Sequence, residues 1–153
     1  MAVFSIRKAG GVITPDTATV AYLSIIPATN RAIRCVEVSH SGLGTATAAN
    51  EMQLAPAPVG TTPGGAVTPN PYGPTSTAAA GFTTATTYAT APVTPATAGL
   101  GYGVNSNGGV YRWLAKTNFE LISQQAIAAY ATLNWRVVSG TGTLAGHVII
   151  EEL

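Results

Sequence analysis

Apolar and polar residues alternate in both end regions of the chain, and this pattern predicts β-strands. Successive side chains of a strand point to opposite faces, so alternation produces one apolar face. The pattern is clearest over residues 127–137, where Ile127, Ala129, Ala131, Leu133, Trp135 and Val137 share one parity. Together with β-branched and aromatic content, it predicts strands at 2–7, 19–26, 31–40, 50–56, 110–115, 119–123, 126–138 and 146–152.

Residues 123–133 also fit a helix, because this segment contains several alanines and alanine has the highest helix propensity. The sequence leaves strand and helix open for these residues. After Leu133 the pattern is that of a strand in either case.

The middle of the chain has a different composition. Residues 42–109 contain eight of the ten prolines, and proline fixes φ and removes a hydrogen-bond donor from a strand ladder. A long helix is therefore excluded there. Isolated apolar residues such as Leu54, Val67 and Leu100 occur along this stretch. We expect a long Pro/Gly/Thr-rich excursion that these side chains pin to the fold or to a neighbouring subunit.

Short strands joined by Gly/Pro-rich turns, without alternating helices, predict an all-β fold. We expect one antiparallel β-sandwich domain over residues 1–153, jelly-roll-like, with residues 42–109 as a neutral, loop-rich insertion. No run of 18 apolar residues and no leader pattern is visible, so neither a transmembrane nor a targeting segment is predicted.

Charged residues make up 8% of the chain, compared with about 25% in a typical soluble domain. The formal net charge of +1 and the lack of a basic run predict no nucleic-acid partner. Interfaces disfavour charge because charged groups are costly to desolvate. The composition therefore favours a protein that assembles with others, and no membrane partner is predicted.

Residues suited to catalysis are sparse. Asp16 is the only aspartate, and neither His40 nor His147 has a second histidine at metal-ligand spacing. Residues 140–145 match a dinucleotide-binding pattern formally, but only eight residues follow, too few for the βαβ unit. We predict no enzyme activity and no catalytic residue, cofactor, metal ion or small-molecule substrate. The two histidines are expected to be solvated or hydrogen-bonded near turns, and Cys35 to be a buried apolar residue.

Residues 52–109 contain no charged side chain, which predicts that they form the assembly surface. Aromatic residues are enriched at interface cores, and the candidate anchors are Tyr72, Phe82, Tyr88 and Tyr102. An alternative interpretation is that these four rings, together with Tyr111, form an aromatic platform that binds carbohydrate. Trp113 and Trp135 are instead expected in the core.

Three segments resemble small virion proteins of tailed bacteriophages, the capsid decoration or cement class. They are residues 31–39 continuing into 42–51, residues 105–113, and the closing residues 146–152. The resemblance implies a jelly-roll-like sandwich, a homotrimer, seated on the outer capsid surface and bridging major capsid proteins. It also implies synthesis in the host bacterial cytoplasm. The alternatives are a phage tail or fibre domain, or a carbohydrate-binding module, that recognises a surface glycan.

Overall fold

Two antiparallel sheets pack face to face in the computed structural model, which describes residues 2–72, 79–94, 99–116 and 121–153. The strands are β1 (Val3–Val12), β2 (Val20–Pro27), β3 (Ala32–Gly42), β4 (Ala49–Ala57), β5 (Asn70–Pro71), β6 (Phe82–Thr87), β7 (Leu100–Asn105), β8 (Val110–Leu114), β9 (Leu121–Gln124), β10 (Thr132–Ser139) and β11 (Thr143–Glu152). The predicted all-β, antiparallel sandwich is confirmed.

The first sheet has the order β5-β1-β11-β3-β8, and β9 pairs with the other half of β3. The second sheet has the order β6-β2-β10-β4-β7. Phe4 of β1 contacts Phe82 of β6 edge to face, with ring centroids 5.4 Å apart, and Tyr111 of β8 stacks on Tyr102 of β7. The β1 and β6 edges therefore lie on one side of the sandwich, and the β7 and β8 edges lie on the other.

The core lies between the sheets and follows the predicted alternation in the end regions. Leu133, Trp135 and Val137 of β10 are buried there, and Ile6 and Val148 from the first sheet face them across the interior. Cys35 is also buried, as expected. The predicted strands at both ends of the chain are present with shifted bounds, and residues 117–120, which include the start of the predicted strand 119–123, lie outside the described residues.

Residues 125–131 are neither the predicted strand nor the alternative helix. They form a turn and one turn of 3-10 helix over Ala128–Tyr130, and Ile127 and Tyr130 are exposed. The physical reason is topological: β9 belongs to the first sheet and β10 to the second, so the chain must cross between sheets here. Ser123 Oγ fastens this crossing by donating to the Tyr130 carbonyl at 2.6 Å.

The proline-rich middle contains three strands that alternation did not predict, namely β5, β6 and β7. Between β4 and β5 the chain runs along the outer edge of β6, where the Gly64 amide donates to the Thr87 carbonyl at 2.9 Å. Between β6 and β7 the chain passes from one edge of the second sheet to the opposite edge. Residues 88–94 begin this passage and are here called the cover segment.

Candidate assembly surface

The four predicted interface anchors have different environments. Tyr72 is 58% exposed, whereas Phe82, Tyr88 and Tyr102 are buried within the chain itself. Phe82 packs on Phe4, and the Tyr102 hydroxyl accepts a hydrogen bond from Trp135 Nε1 at 2.6 Å. The interpretation of these three residues as surface anchors is therefore corrected: their rings stabilise the fold. An uncharged sequence alone does not distinguish a segment that covers its own sheet from one that meets another protein.

The cover segment lies on the outer face of the second sheet. Ser24 of β2 and Asn134 of β10 are paired, and the residues on either side of each point into the core. The side chains of Ser24 and Asn134 therefore point to the outer face, yet both are fully buried. Asn134 Nδ2 donates to Thr94 Oγ1 at 2.7 Å, and Ser24 Oγ donates to Asn134 Oδ1 at 2.7 Å. These bonds satisfy polar groups that burial would otherwise penalise. They fix the cover segment on the sheet.

A second small apolar cluster holds the other end of the cover segment. Tyr88 and Ala91 pack against residues of β2 and β6 that face away from the main core. The members of this cluster are Ala21, Ile26, Ala85, Tyr88 and Ala91. The second sheet is thus buried on both faces along β2, which explains the continuous burial of residues 21–27.

The surface next to the cover segment is partly apolar. One charged side chain, Arg136 of β10, lies against the segment and donates from Nη1 to the Thr94 carbonyl at 3.2 Å. Val93 is 77% exposed, and Tyr130 is also exposed. Both line a cleft of about 580 Å³ whose other described lining residues are Pro56, Pro58, Gly99, Leu121 and Ala129. This cleft, together with the outer surface of the cover segment, is here called the neutral face.

The outer face of the first sheet is charged instead. Arg112 donates from Nε and Nη2 to the Glu37 carboxylate at 2.9 and 2.8 Å, and Arg34 pairs with Glu151. The hydrogen bond from Arg112 lowers the pKa of Glu37. The Arg34–Glu151 pair is partly buried, whereas the Arg112–Glu37 pair is exposed. An exposed pair contributes little to stability, but it keeps the surface around it hydrated. The two faces of the sandwich are therefore chemically distinct.

Inside the sandwich, His40 lies among aromatic rings, with its ring centroid 4.5 Å from that of Trp135. It is 1% exposed, so the expectation of a solvated or hydrogen-bonded ring near a turn is wrong. Burial lowers the pKa of His40 to about 4, although the nearby Ala145 carbonyl opposes the shift. That carbonyl falls short of hydrogen-bond geometry, and neither ring nitrogen has a hydrogen-bond partner among the described residues.

Asp16 has a structural position. Its Oδ1 accepts from the backbone amides of Tyr22 at 3.1 Å and Val137 at 3.0 Å, and thereby ties the loop between β1 and β2 to β10. Burial raises the pKa of Asp16 to about 6 against the opposing effect of these bonds and of Arg136 and Lys8. In the described part of the chain, no three His, Cys, Asp or Glu residues are grouped as metal ligands.

No family model, curated protein or solved structure matches the chain. Within the described ranges, no helix has the length and apolar character needed to cross a membrane. The surfaces of the sandwich are therefore the basis for assigning a function.

Proposed function

We propose that the chain is a structural virion protein that decorates the capsid of a tailed bacteriophage and binds its major capsid protein through the neutral face. The observation that carries the proposal is the contrast between the faces of the sandwich. One outer face is charged and hydrated, whereas the other is covered by an uncharged segment that exposes Val93 beside an apolar cleft. The described residues that form the neutral face are themselves uncharged, and the neighbouring Arg136 already donates a hydrogen bond to the Thr94 carbonyl, so burying this face desolvates little charge.

We include a jelly-roll topology in the proposal. Strands β1 to β4 alternate between the two sheets, and β10 and β11 return to the middle of them. Without β5, β6 and β9, the sheets have the orders β1-β11-β3-β8 and β2-β10-β4-β7. These orders are the ones expected for the two Greek keys of a jelly roll, which is common among capsid domains. In this interpretation β5 and β6 are edge strands contributed by the insertion.

The mechanism is mechanical. A shell binds many copies of a decoration protein, and each copy adds a modest interface that holds neighbouring capsid subunits together. Because the subunits are already linked through the shell, the contacts act at high effective concentration and their contributions accumulate. Such an interface requires a binding surface of fixed shape. At the neutral face, the hydrogen bonds that link Thr94, Asn134 and Ser24 hold the cover segment in place on the sheet.

The alternative of a glycan-binding fibre domain or carbohydrate-binding module has less support. Sugar platforms need exposed ring faces, but Tyr102 and Tyr111 stack on each other at 4.1 Å between centroids. Phe82 and Tyr88 are buried. Of the five rings considered for a platform, Tyr72 is the one whose side chain is largely exposed.

Cosedimentation tests the proposal. The purified protein is mixed with capsids of the phage whose genome encodes it, after the capsids have been stripped of the protein. We expect saturable pelleting at many copies per capsid and increased resistance of the shell to heat. Absence of pelleting, or a few copies per particle together with binding on a glycan array, would contradict capsid decoration.

A further inference from the structure

The edges of the two sheets differ in how the chain protects them. On one side of the sandwich, the β1 edge is paired with β5, which contains Pro71, and the Tyr72 amide donates to the Val3 carbonyl at 2.7 Å. The β6 edge is covered by residues 61–67, where the Val67 amide donates to Thr84 Oγ1 at 2.7 Å. Covering an edge in this way prevents other strands from pairing with it. This side of the sandwich is closed.

On the opposite side, β7 has an open edge. It pairs with β4, and no other strand in the described part of the chain pairs with it. An unpaired edge is normally protected by a charged residue, a proline or a bulge. Residues 100–105 contain no charged residue and no proline, and the pairing with β4 runs without a register shift. As far as the described ranges show, the edge therefore lacks the usual protection against strand addition.

The register shows which backbone groups face this open edge. The Ser106 amide donates to the Ala48 carbonyl at 2.9 Å, one step beyond the pair formed by Ala49 and Asn105. Because hydrogen-bonded and non-hydrogen-bonded pairs alternate in an antiparallel ladder, Val104 and Tyr102 bond to β4. The N–H and C=O groups of Gly101 and Gly103 consequently point away from β4, to the open edge.

Asn105 also faces this edge, but its carbonyl already accepts from the Gly108 amide at 3.2 Å. The other two residues, Gly101 and Gly103, are exposed glycines. A Cβ added to Gly101 meets no atom within 4 Å, and one added to Gly103 meets only the Asn50 carbonyl oxygen at 3.9 Å. Packing inside the described chain therefore does not require glycine at either position. A second backbone, however, can approach a glycine pair closely, since no side chain shields the polar groups.

We propose that β7 pairs with β7 of a second copy of this chain, antiparallel, across a two-fold axis at Tyr102. In this register Gly101 lies opposite Gly103 of the second copy, and each such pair exchanges both of its hydrogen bonds. Because Gly101 and Gly103 flank Tyr102, one register gives both copies the same hydrogen bonds, as a two-fold interface requires. The strand carries no charge, so two identical copies meet without repulsion. Strand addition of this kind joins the second sheets of two sandwiches.

The charge on the neighbouring edge does not oppose this pairing. Arg112 of β8 is already paired with Glu37 on the outer face of the first sheet. The inference does not rest on capsid binding, because the neutral face and the β7 edge are separate surfaces. It also differs from the predicted homotrimer, which has no two-fold axis.

The test measures self-association of the full chain by sedimentation-velocity ultracentrifugation over a range of concentrations. The variant Gly101→Lys/Gly103→Lys places like charges directly across the interface, where they oppose strand pairing. Gly109→Lys is the matched control, since a Cβ there also meets no atom within 4 Å and the residue lies outside β7. We expect a dimer for the wild type and for the control, and at least a tenfold larger dissociation constant for the double variant.

Hydrogen exchange locates the contact. The backbone amides at positions 101 and 103 should exchange slowly in the wild-type dimer and fast in the double variant. The circular dichroism spectrum of the variant should remain that of the wild type. A wild-type monomer at all concentrations, a trimer, or a dimer that the double variant leaves unchanged would each overturn the inference. None of these outcomes affects the cosedimentation test of capsid binding. If the double variant does not fold, Gly101→Asp/Gly103→Asp provides the same like-charge test with less added bulk, because each aspartate lies opposite an aspartate of the second copy.

Discussion

At the scale of single residues, Trp135 is the side chain on which the core depends most. It is fully buried, its indole N–H donates to the Tyr102 hydroxyl, and Tyr22 contacts it edge to face. We expect Trp135→Ala to lower the free energy of unfolding by about 3–5 kcal/mol, as aromatic truncations in cores do. Denaturant titration followed by circular dichroism measures the loss. The control is Trp113→Ala, where the ring is only partly buried and the loss should be smaller; equal losses would contradict this account.

Two buried ionisable residues are expected to oppose each other in the pH dependence of stability. The pKa of His40 is lowered to about 4 in the folded chain. Between about pH 4 and 6.5 the unfolded chain therefore binds more protons than the folded chain, and stability rises with pH. The pKa of Asp16 is raised to about 6 in the folded chain. Between about pH 3.8 and 6 the folded chain therefore binds more protons than the unfolded chain, and stability falls as the pH rises. Each shift corresponds to about 3 kcal/mol. Their contributions should nearly cancel between about pH 4 and 6.

Removing one of the two groups exposes the other. In His40→Leu, the free energy of unfolding should decrease by about 3 kcal/mol as the pH rises from 4 to 6, because only the Asp16 contribution remains. His147→Leu is the control, since it also replaces a histidine by leucine but lies on the outer face of the first sheet, away from the core around His40. The measurement is a series of denaturant titrations at different pH. A His40→Leu profile as flat as that of the wild type would show that the Asp16 shift is absent.

The burial of Trp135 and Cys35 could be predicted from the sequence because both lie on apolar parity positions of strands. The environment of His40 could not be predicted in this way. Its parity places it on the inner face of β3 with Val38, but a polar residue near the end of a strand is usually solvated. Gly146 makes room for the ring: a Cβ there would meet Trp135 at 2.6 Å and the Tyr22 hydroxyl at 2.7 Å. This complementarity between distant positions cannot be seen in one segment.

At the scale of the elements, alternation predicted the strands of both end regions and β4, but it missed β5, β6 and β7 in the middle. β6 contains four threonines on both parities, because one of its faces meets the core and the other meets the cover segment. β7 has glycines at two of its three exposed positions, so most of the polar half of the alternation is missing. A long apolar pattern also misled the prediction at residues 126–131, where exposed Ile127 continues the parity of β10 through a turn.

The cover segment should depend on Asn134, whose amide links Ser24 on the sheet to Thr94 above it. Asn134→Ala leaves two buried hydroxyl groups without this partner. We expect the free energy of unfolding to decrease by about 1–3 kcal/mol, the desolvation penalty of unsatisfied polar groups. Faster hydrogen exchange should be confined to residues 88–94 and their neighbours. Asn107→Ala, an exposed change in the turn after β7, is the control and should have little effect; a similar loss in both variants would argue against the linking role.

The structure changes the expected effect of replacing Phe82 by aspartate. Read from the sequence, aspartate at this position weakens assembly and leaves the sandwich folded. In the structure Phe82 is buried against Phe4, so Phe82→Asp places a carboxylate in the core. We expect loss of the folded state, seen as loss of the cooperative melting transition. Tyr72→Asp is the matched change at an exposed anchor candidate and should fold normally; a stable Phe82→Asp protein would contradict the core assignment.

At the scale of the whole molecule, the sandwich has a charged face, a neutral face, a closed side and an open side. The proposed function uses the neutral face, and the proposed self-association uses the open side. The sequence predicted residues 52–109 as the assembly surface, but it did not show where in the fold these residues lie. Placement depends on the passage from β6 to β7 across the second sheet, because this path lays the cover segment over Ser24 and Asn134.

The neutral face can be tested with two matched substitutions, one in the cover segment and one in β1 of the first sheet. Val93 and Val12 are 77% and 73% exposed, so aspartate at either position should leave the fold intact. If the neutral face binds the capsid, Val93→Asp places a charge in a desolvated interface and should weaken binding by about 2 kcal/mol, roughly a 30-fold larger dissociation constant. Val12→Asp should bind as the wild type does. Cosedimentation at graded protein concentrations measures both. If both variants bind as tightly as the wild type, Val93 is excluded from the interface. If both bind equally weakly, the cause is a general effect of negative charge. Only a selective loss in Val93→Asp identifies the neutral face as the one that meets the shell.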